Sequence, residues 1–158
     1  MSSRAALVSR RAGGGCVRES VGSHKSPSMD RRKESQPNVG SPFLDPTRWI
    51  NQNKYAVALR DSYPVSTGHT LVVPRRMVTS VFDLDPNEIR ACSDLLDAER
   101  ERLIKEVSPD GFNIGVNIGE AAGPTIWHAH FHLIPRFYGD HSSPRGGVRA
   151  VIPGKAHY

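Results

Sequence analysis

The chain has 158 residues, 37% of them hydrophobic and 7% aromatic, with a formal net charge of +5. That length suits one domain with a remainder, and no apolar run approaches the roughly 20 residues of a membrane helix. Two cysteines, Cys16 and Cys92, argue against a disulfide framework or a cysteine-rich zinc site.

The charge is unevenly placed. Residues 1–40 carry eight basic against three acidic side chains, whereas residues 41–158 balance at thirteen of each. A folded part without basic excess argues against a nucleic-acid surface. Residues 1–40 are rich in Ser, Gly and Arg, include Gly13-Gly14-Gly15 and lack apolar periodicity, so they read as a disordered basic tail; residues 41–158 read as the folded domain. The expectation is a soluble cytoplasmic protein that engages neither membrane nor nucleic acid.

In chain order, residues 41–49 (SPFLDPTRW) read as a proline-punctuated loop that brings Phe43, Leu44 and Trp49 onto the domain. Residues 55–60 (YAVALR) and 69–74 (HTLVVP) read as antiparallel strands around the turn DSYPVSTG. Residues 81–107 then change period: Asp85 is a suitable N-cap, Pro86 suits the first helical position and Glu88 completes a capping box. Ile89, Cys92, Leu96 and Leu103 are expected on its buried face. Residues 112–119 (FNIGVNIG) and 126–135 (IWHAHFHLIP) alternate as strands. Strands grouped around one long helix predict an α+β fold with an antiparallel sheet.

The last of these segments holds His128, His130 and His132 at alternate positions. In a strand all three share one face, about 7 Å apart from one to the next, with Trp127, Ala129, Phe131 and Leu133 opposite. Three readings stand: imidazole ligands for a metal, an exposed ladder without function, or a phosphate site. The last is favoured because neutral histidine is nucleophilic at one ring nitrogen and can be oriented through the other. No cysteine or obvious carboxylate in the same strand supports a metal.

The segment HAHFHLI resembles the signature of the histidine triad superfamily of nucleotide hydrolases and transferases. RDSYPVSTGHTLVVPRR (60–76) and FNIGVNIGEAAGPTIWHAHFHLIPR (112–136) extend the likeness, which covers about residues 43–158. LIPR after the triad resembles the dinucleoside polyphosphate branch more than the phosphoramidase branch. The resemblance implies an antiparallel meander that pairs into a homodimer, and a hydrolase that cleaves a purine dinucleoside polyphosphate or nucleoside phosphoramidate at the α-phosphate.

In that scheme His130 is the nucleophile, His128 orients it, and His132 and His69 contact the phosphate or leaving group. Asn117 lies at the phosphate, Asp61 on the ribose hydroxyls and Leu59 beside the base, with Thr125 a further nucleotide-binding residue. No metal and no cofactor is required. A nucleotide-binding module with little turnover, or nucleotidyl transfer to an acceptor other than water, remain as alternatives. Two departures stand out. Pro124 replaces the branch's usual glutamine, removing a polar contact, and Ser41-Pro42-Phe43-Leu44 replaces the Cys-x-x-Cys of many bacterial members, so no structural zinc is expected.

Overall fold

The computed structural model describes residues 40–156, which lie within one compact unit. The tail expectation for residues 1–40 falls outside the described residues apart from Gly40. Two short 3₁₀ turns, Pro42–Leu44 and Pro46–Arg48, precede strands β1 (Trp49–Gln52), β2 (Ala56–Arg60) and β3 (Thr70–Pro74). Helix α1 (Pro86–Val107), β4 (Gly111–Gly115) and β5 (Phe131–Arg136) follow. The strands form one antiparallel sheet in the order β1-β2-β3-β5-β4. The expected α+β class is the observed one.

The pleat divides the strand residues between two layers. Ala56, Ala58 and Val72 face α1 and meet Ala91, Cys92 and Leu95, with Phe131 packed alongside. Alanine on both elements lets helix and sheet approach closely. Val57, Leu59, Leu71 and Val73 point to the other face, where Phe43, Trp49 and Ile126 cover them. The segment read as a loop is therefore the lid of the second layer. His132 belongs to this layer too, because it pairs with Leu71 of β3 and Gly115 of β4.

Helix α1 starts as expected. Asp85 accepts from the N–H groups of Asn87 and Glu88, and Glu88 accepts from the Asp85 N–H at 2.9 Å. Its buried face differs from the expected one: it comprises Glu88, Ala91, Cys92, Leu95, Glu99 and Leu103, while Leu96 is partly buried and Ile89 is 41% exposed. The stripe 88-92-95-99-103 runs straight along the helix, but two of its members are carboxylates. Glu88 is tolerated inside because it binds Arg76 at 2.6 and 2.8 Å; Asn51 donates to Oε1 of Glu99 at 2.9 Å, whereas the buried Oε2 has no hydrogen bond among the described residues and only Arg102 and Arg60 at 3.8 and 4.0 Å.

Three other expectations change. Strand β1 was not foreseen, since Trp-Ile-Asn-Gln has neither length nor alternation and is held by pairing with β2. Asn53 turns the chain between them, accepting from the Tyr55 and Ala56 N–H groups and donating to the Ala91 carbonyl. The strands expected over 112–119 and 126–135 are shorter, ending at Gly115 and starting at Phe131. The reason is that backbone groups before Phe131 bond elsewhere: Ala129 N–H donates to the Val78 carbonyl, and the His128 carbonyl accepts from a ring nitrogen of His130.

Gly68 closes the turn before β3 with φ +86°, and a Cβ there would lie 2.5 Å from Leu103 Cδ2 and 3.3 Å from Pro135 Cγ. Only a hydrogen fits, and only glycine adopts this backbone without strain. Gly68→Ala is expected to cost about 2–4 kcal/mol from strain and overpacking together, read as a lowered urea midpoint; an unchanged midpoint overturns this account of the turn.

Candidate active site

The three histidines do not line one strand face. His132 is in β5, whereas His128 and His130 sit on the irregular approach to it. Nor do they face solvent: His128 is 1% exposed, His130 7% and His69 3%, with His132 half-buried. Trp127, expected opposite on the packed face, is 41% exposed. Buried imidazoles must satisfy both ring nitrogens, so their partners decide their tautomers.

His128 faces carbonyl oxygens with Nε2, Pro74 at 2.9 Å and Arg76 at 3.2 Å. A carbonyl only accepts, so Nε2 carries the proton and Nδ1 receives the Ser41 hydroxyl at 2.7 Å. Its imidazole therefore ties the chain between β3 and α1 to the segment at residue 41. Burial holds His128 below the ordinary histidine pKa, against the pull of the two carbonyls.

His130 Nδ1 lies 2.7 Å from the His128 main-chain carbonyl and donates to it. The proton is thereby fixed on Nδ1, leaving the Nε2 lone pair free. His128 thus meets the His130 ring through its main-chain carbonyl and not through its own imidazole. Phe43 packs against the His130 ring at 4.9 Å between centroids, and the His132 ring meets it edge-on at the same distance.

His69 and His132 form a pair, with Nε2 of the former 3.0 Å from Nδ1 of the latter. The Val65 N–H approaches His69 Nδ1 at 3.3 Å and donates to it, so His69 donates from Nε2. His132 then carries its proton on Nε2, a buried atom without a hydrogen-bond partner. Burial lowers both pKa values, that of His132 to about 4, with His130 and His69 adding and Asp61 opposing; His69 is lowered with Asp61 opposing and His130 adding. Asp61 Oδ2 stands 3.5 Å from His69 Nδ1 and 4.0 Å from His132 Nδ1, and its Oδ1 accepts from the Tyr63 N–H at 2.8 Å.

The other expected residues are placed differently. Asn117 is half-buried in the loop after β4, Thr125 is exposed, and neither hydrogen-bonds a histidine. Leu59 is 0% exposed and packs with Phe43 and Leu71, so it has no surface to offer a base; that assignment is corrected. The sequence reading missed the Ser41 hydroxyl, the Val65 amide and the Pro74 and Arg76 carbonyls. No residue-type signal marks a backbone group, and Ser41 drew notice only as an absent thiol.

Asp61, His69 and His132 bring potential metal-ligand atoms within 4.8 Å of one another, but the proton of the His69–His132 hydrogen bond occupies the lone pair an ion would need. At residues 41–44 a hydroxyl and a leucine stand where two thiolates would bind zinc, and that hydroxyl is committed to His128. The donor set does not fit a structural zinc ion.

One free imidazole lone pair beside an imidazole N–H without a hydrogen-bond partner among the described residues suits attack at phosphorus. The HIT domain family model matches residues 44–139. The chain belongs to this family. It is 34% identical over 88 residues to an HIT-like protein of Mycoplasma genitalium, spanning 56% of this chain and 62% of that one. It is 38% identical over 95 residues to the AP-4-A phosphorylase of Mycobacterium tuberculosis, covering 58% and 47%. Among solved structures it is similar to the diadenosine triphosphate hydrolase of Plasmodium falciparum, with TM-score 0.58, 27% identity and coverage of 63% and 68%. The matches span about three-fifths of the first curated relatives' length.

Histidines held below their unfolded pKa of 6.5 stabilise the fold fully above that value and progressively less as pH falls toward about 4 for His132. The urea midpoint is expected to be level above pH 7 and to fall between pH 6.5 and 4. The same decline should be smaller in His132→Gln; a midpoint flat through this window overturns the neutral assignment.

Proposed function

We propose that the chain is a nucleotide hydrolase that cleaves a purine dinucleoside polyphosphate or nucleoside phosphoramidate at the α-phosphate through a covalent nucleotidyl intermediate on His130. One observation carries the reading: the 2.7 Å bond from His130 Nδ1 to the His128 carbonyl, which leaves Nε2 as the nucleophile. On attack, the bond from His130 Nε2 to phosphorus forms and the bond to the leaving group breaks. Positive charge developing on the imidazole is stabilised by the same carbonyl. The Nε2–H of His132 donates to the phosphoryl or leaving oxygen, and His69 holds His132 in that tautomer. Water then attacks the same phosphorus and releases the monophosphate. Asn117 borders the phosphate, Thr125 is a further nucleotide contact, and no cofactor takes part.

The relatives' names support the substrate class, with diadenosine polyphosphates in two of the three. A second reading, in which inorganic phosphate replaces water, is favoured by the phosphorylase likeness. A cytoplasmic homodimer belongs to the same proposal, supported by β4 at the open edge of the sheet with Ile114 49% exposed. Among the described residues no helix is long and apolar enough to cross a membrane.

The test compares the protein with His130→Ala on diadenosine tetraphosphate and an adenosine phosphoramidate, with and without inorganic phosphate. AMP is expected from at least one substrate, with the variant slower by at least about 10³-fold. ADP in place of AMP when phosphate is added selects the second reading. AMP binding without turnover of either substrate replaces both by a nucleotide-binding module.

A further inference from the structure

Residues 41–48, the two 3₁₀ turns Pro42–Leu44 and Pro46–Arg48 with their caps, form a strap beside the second layer of the sheet. Each turn closes on itself: Leu44 N–H donates to the Ser41 carbonyl, Arg48 N–H to the Asp45 carbonyl, and Asp45 accepts from the Thr47 N–H and hydroxyl. Short turns of this kind have no ladder to fix them to a sheet. The strap is held by single contacts instead. The Ser41 hydroxyl meets His128 at 2.7 Å, Phe43 packs on the His130 ring, and the Trp49 indole N–H donates to the Phe43 carbonyl at 2.9 Å.

A further contact leaves the strap for another part of the chain. From Arg48, Nη1 donates to the Pro42 carbonyl at 3.1 Å and Nη2 to the Ser62 hydroxyl at 2.7 Å. Pro42 lies between Ser41 and Phe43, the two residues that touch His128 and His130. Ser62 lies in the turn after β2, whose Val65 N–H reaches His69. One guanidinium thus joins the strap on His128 and His130 to the turn beside His69, and among the described residues no other side chain hydrogen-bonds both segments. Its planar fork fixes two oxygens relative to each other, which the single ammonium of a lysine does not.

We propose that Arg48 is a positioning residue for the nucleophile: clasped to the turn after β2, it keeps Ser41 on His128 and Phe43 on His130, and so holds the His130 ring with Nδ1 toward the His128 carbonyl. Its effect on turnover rests on the hydrolase reading. Among the described residues Arg48 bonds no imidazole itself, so its influence passes through the strap. With Pro42 released, the Ser41 hydroxyl leaves Nδ1 of His128 and water reaches a ring that is 1% exposed. Withdrawal of Phe43 frees one side of the His130 ring at the same time. His130 then gains rotamers in which Nδ1 no longer meets the carbonyl, and its proton is no longer confined to that nitrogen.

The test has two arms, each on the full chain with Arg48→Ala, Ser62→Ala, the double variant and Arg48→Lys. Ring-nitrogen NMR without ligand at pH 7.5 reads the tautomers. The parent is expected to hold His128 as Nε2–H and His130 as Nδ1–H, and Arg48→Ala to show His130 exchanging between tautomers. Ring signals in Arg48→Ala that match the parent overturn the clasp, even if the urea midpoint falls. The second arm measures turnover of diadenosine tetraphosphate and an adenosine phosphoramidate. In Arg48→Ala kcat is expected to fall about 10- to 100-fold on both, with little change in KM. Ser62→Ala should fall in the same direction, the double variant no further than Arg48→Ala, and Arg48→Lys should recover little. A rise in KM with kcat unchanged makes Arg48 a ligand contact and overturns the positioning role; losses that add in the double variant do so too. Tautomer exchange in variants of a parent that turns over neither substrate keeps the clasp and removes the hydrolase. Turnover by the parent, with ring signals unaltered in the variants, removes the clasp and leaves the hydrolase.

Discussion

A neutral imidazole carries one N–H and one lone pair, and once removed from water each needs a partner of the right kind or costs about 1–3 kcal/mol. Four such rings, from His69, His128, His130 and His132, meet at one side of this sheet. With so little water available, backbone groups decide where the protons sit. Carbonyls of Pro74 and Arg76 receive one proton, the His128 carbonyl another, and the Val65 amide sets the polarity of the remaining pair. From four identical side chains the fold thus makes one ring with a free lone pair, one with an unpartnered buried N–H and two that hold the others in place.

The scaffold is arranged to keep those backbone groups still. Glu88 caps the start of α1 and, from the same carboxylate, grips Arg76, which also donates to the Asp83 carbonyl. The Arg76 carbonyl in turn faces His128. A helix N-terminus is in this way coupled to the corner after β3, and the corner to the histidine segment. On the far side, Ser41 and Phe43 close the layer, the first bonded to His128 and the second packed on His130. Burial of Glu88 at 5% exposure is tolerable because Arg76 and the Asp85 N–H leave its oxygens paired.

Much of this was legible in the sequence. The capping box at Asp85-Pro86-Glu88, the hairpin around DSYPVSTG and the α+β class follow from local rules, because each depends on residues close together in the chain. The histidine motif was equally plain, yet its geometry was not: strict alternation suggested a continuous strand, whereas competing hydrogen bonds at Ala129 and His128 pull the chain out of the ladder. Likewise, helical periodicity alone puts Ile89 on the buried stripe of α1 and every carboxylate outside, whereas Glu88 and Glu99 are inside against distant partners, Arg76 and Asn51. What escaped the sequence was consistently a long-range pairing or a main-chain group.

The hydroxyl that completes the His128 network comes from a residue 87 positions earlier in the chain. Closing so long a loop carries a large entropic cost, and contacts of that span form late and slowly. The ordering of the imidazoles is accordingly a property of the finished fold. A fragment holding HAHFHLI alone would contain every imidazole of the triad and none of their assignments, its rings exchanging freely between tautomers. In this chain the motif supplies the atoms, and distant parts of the polypeptide supply the instruction that tells one histidine from the next.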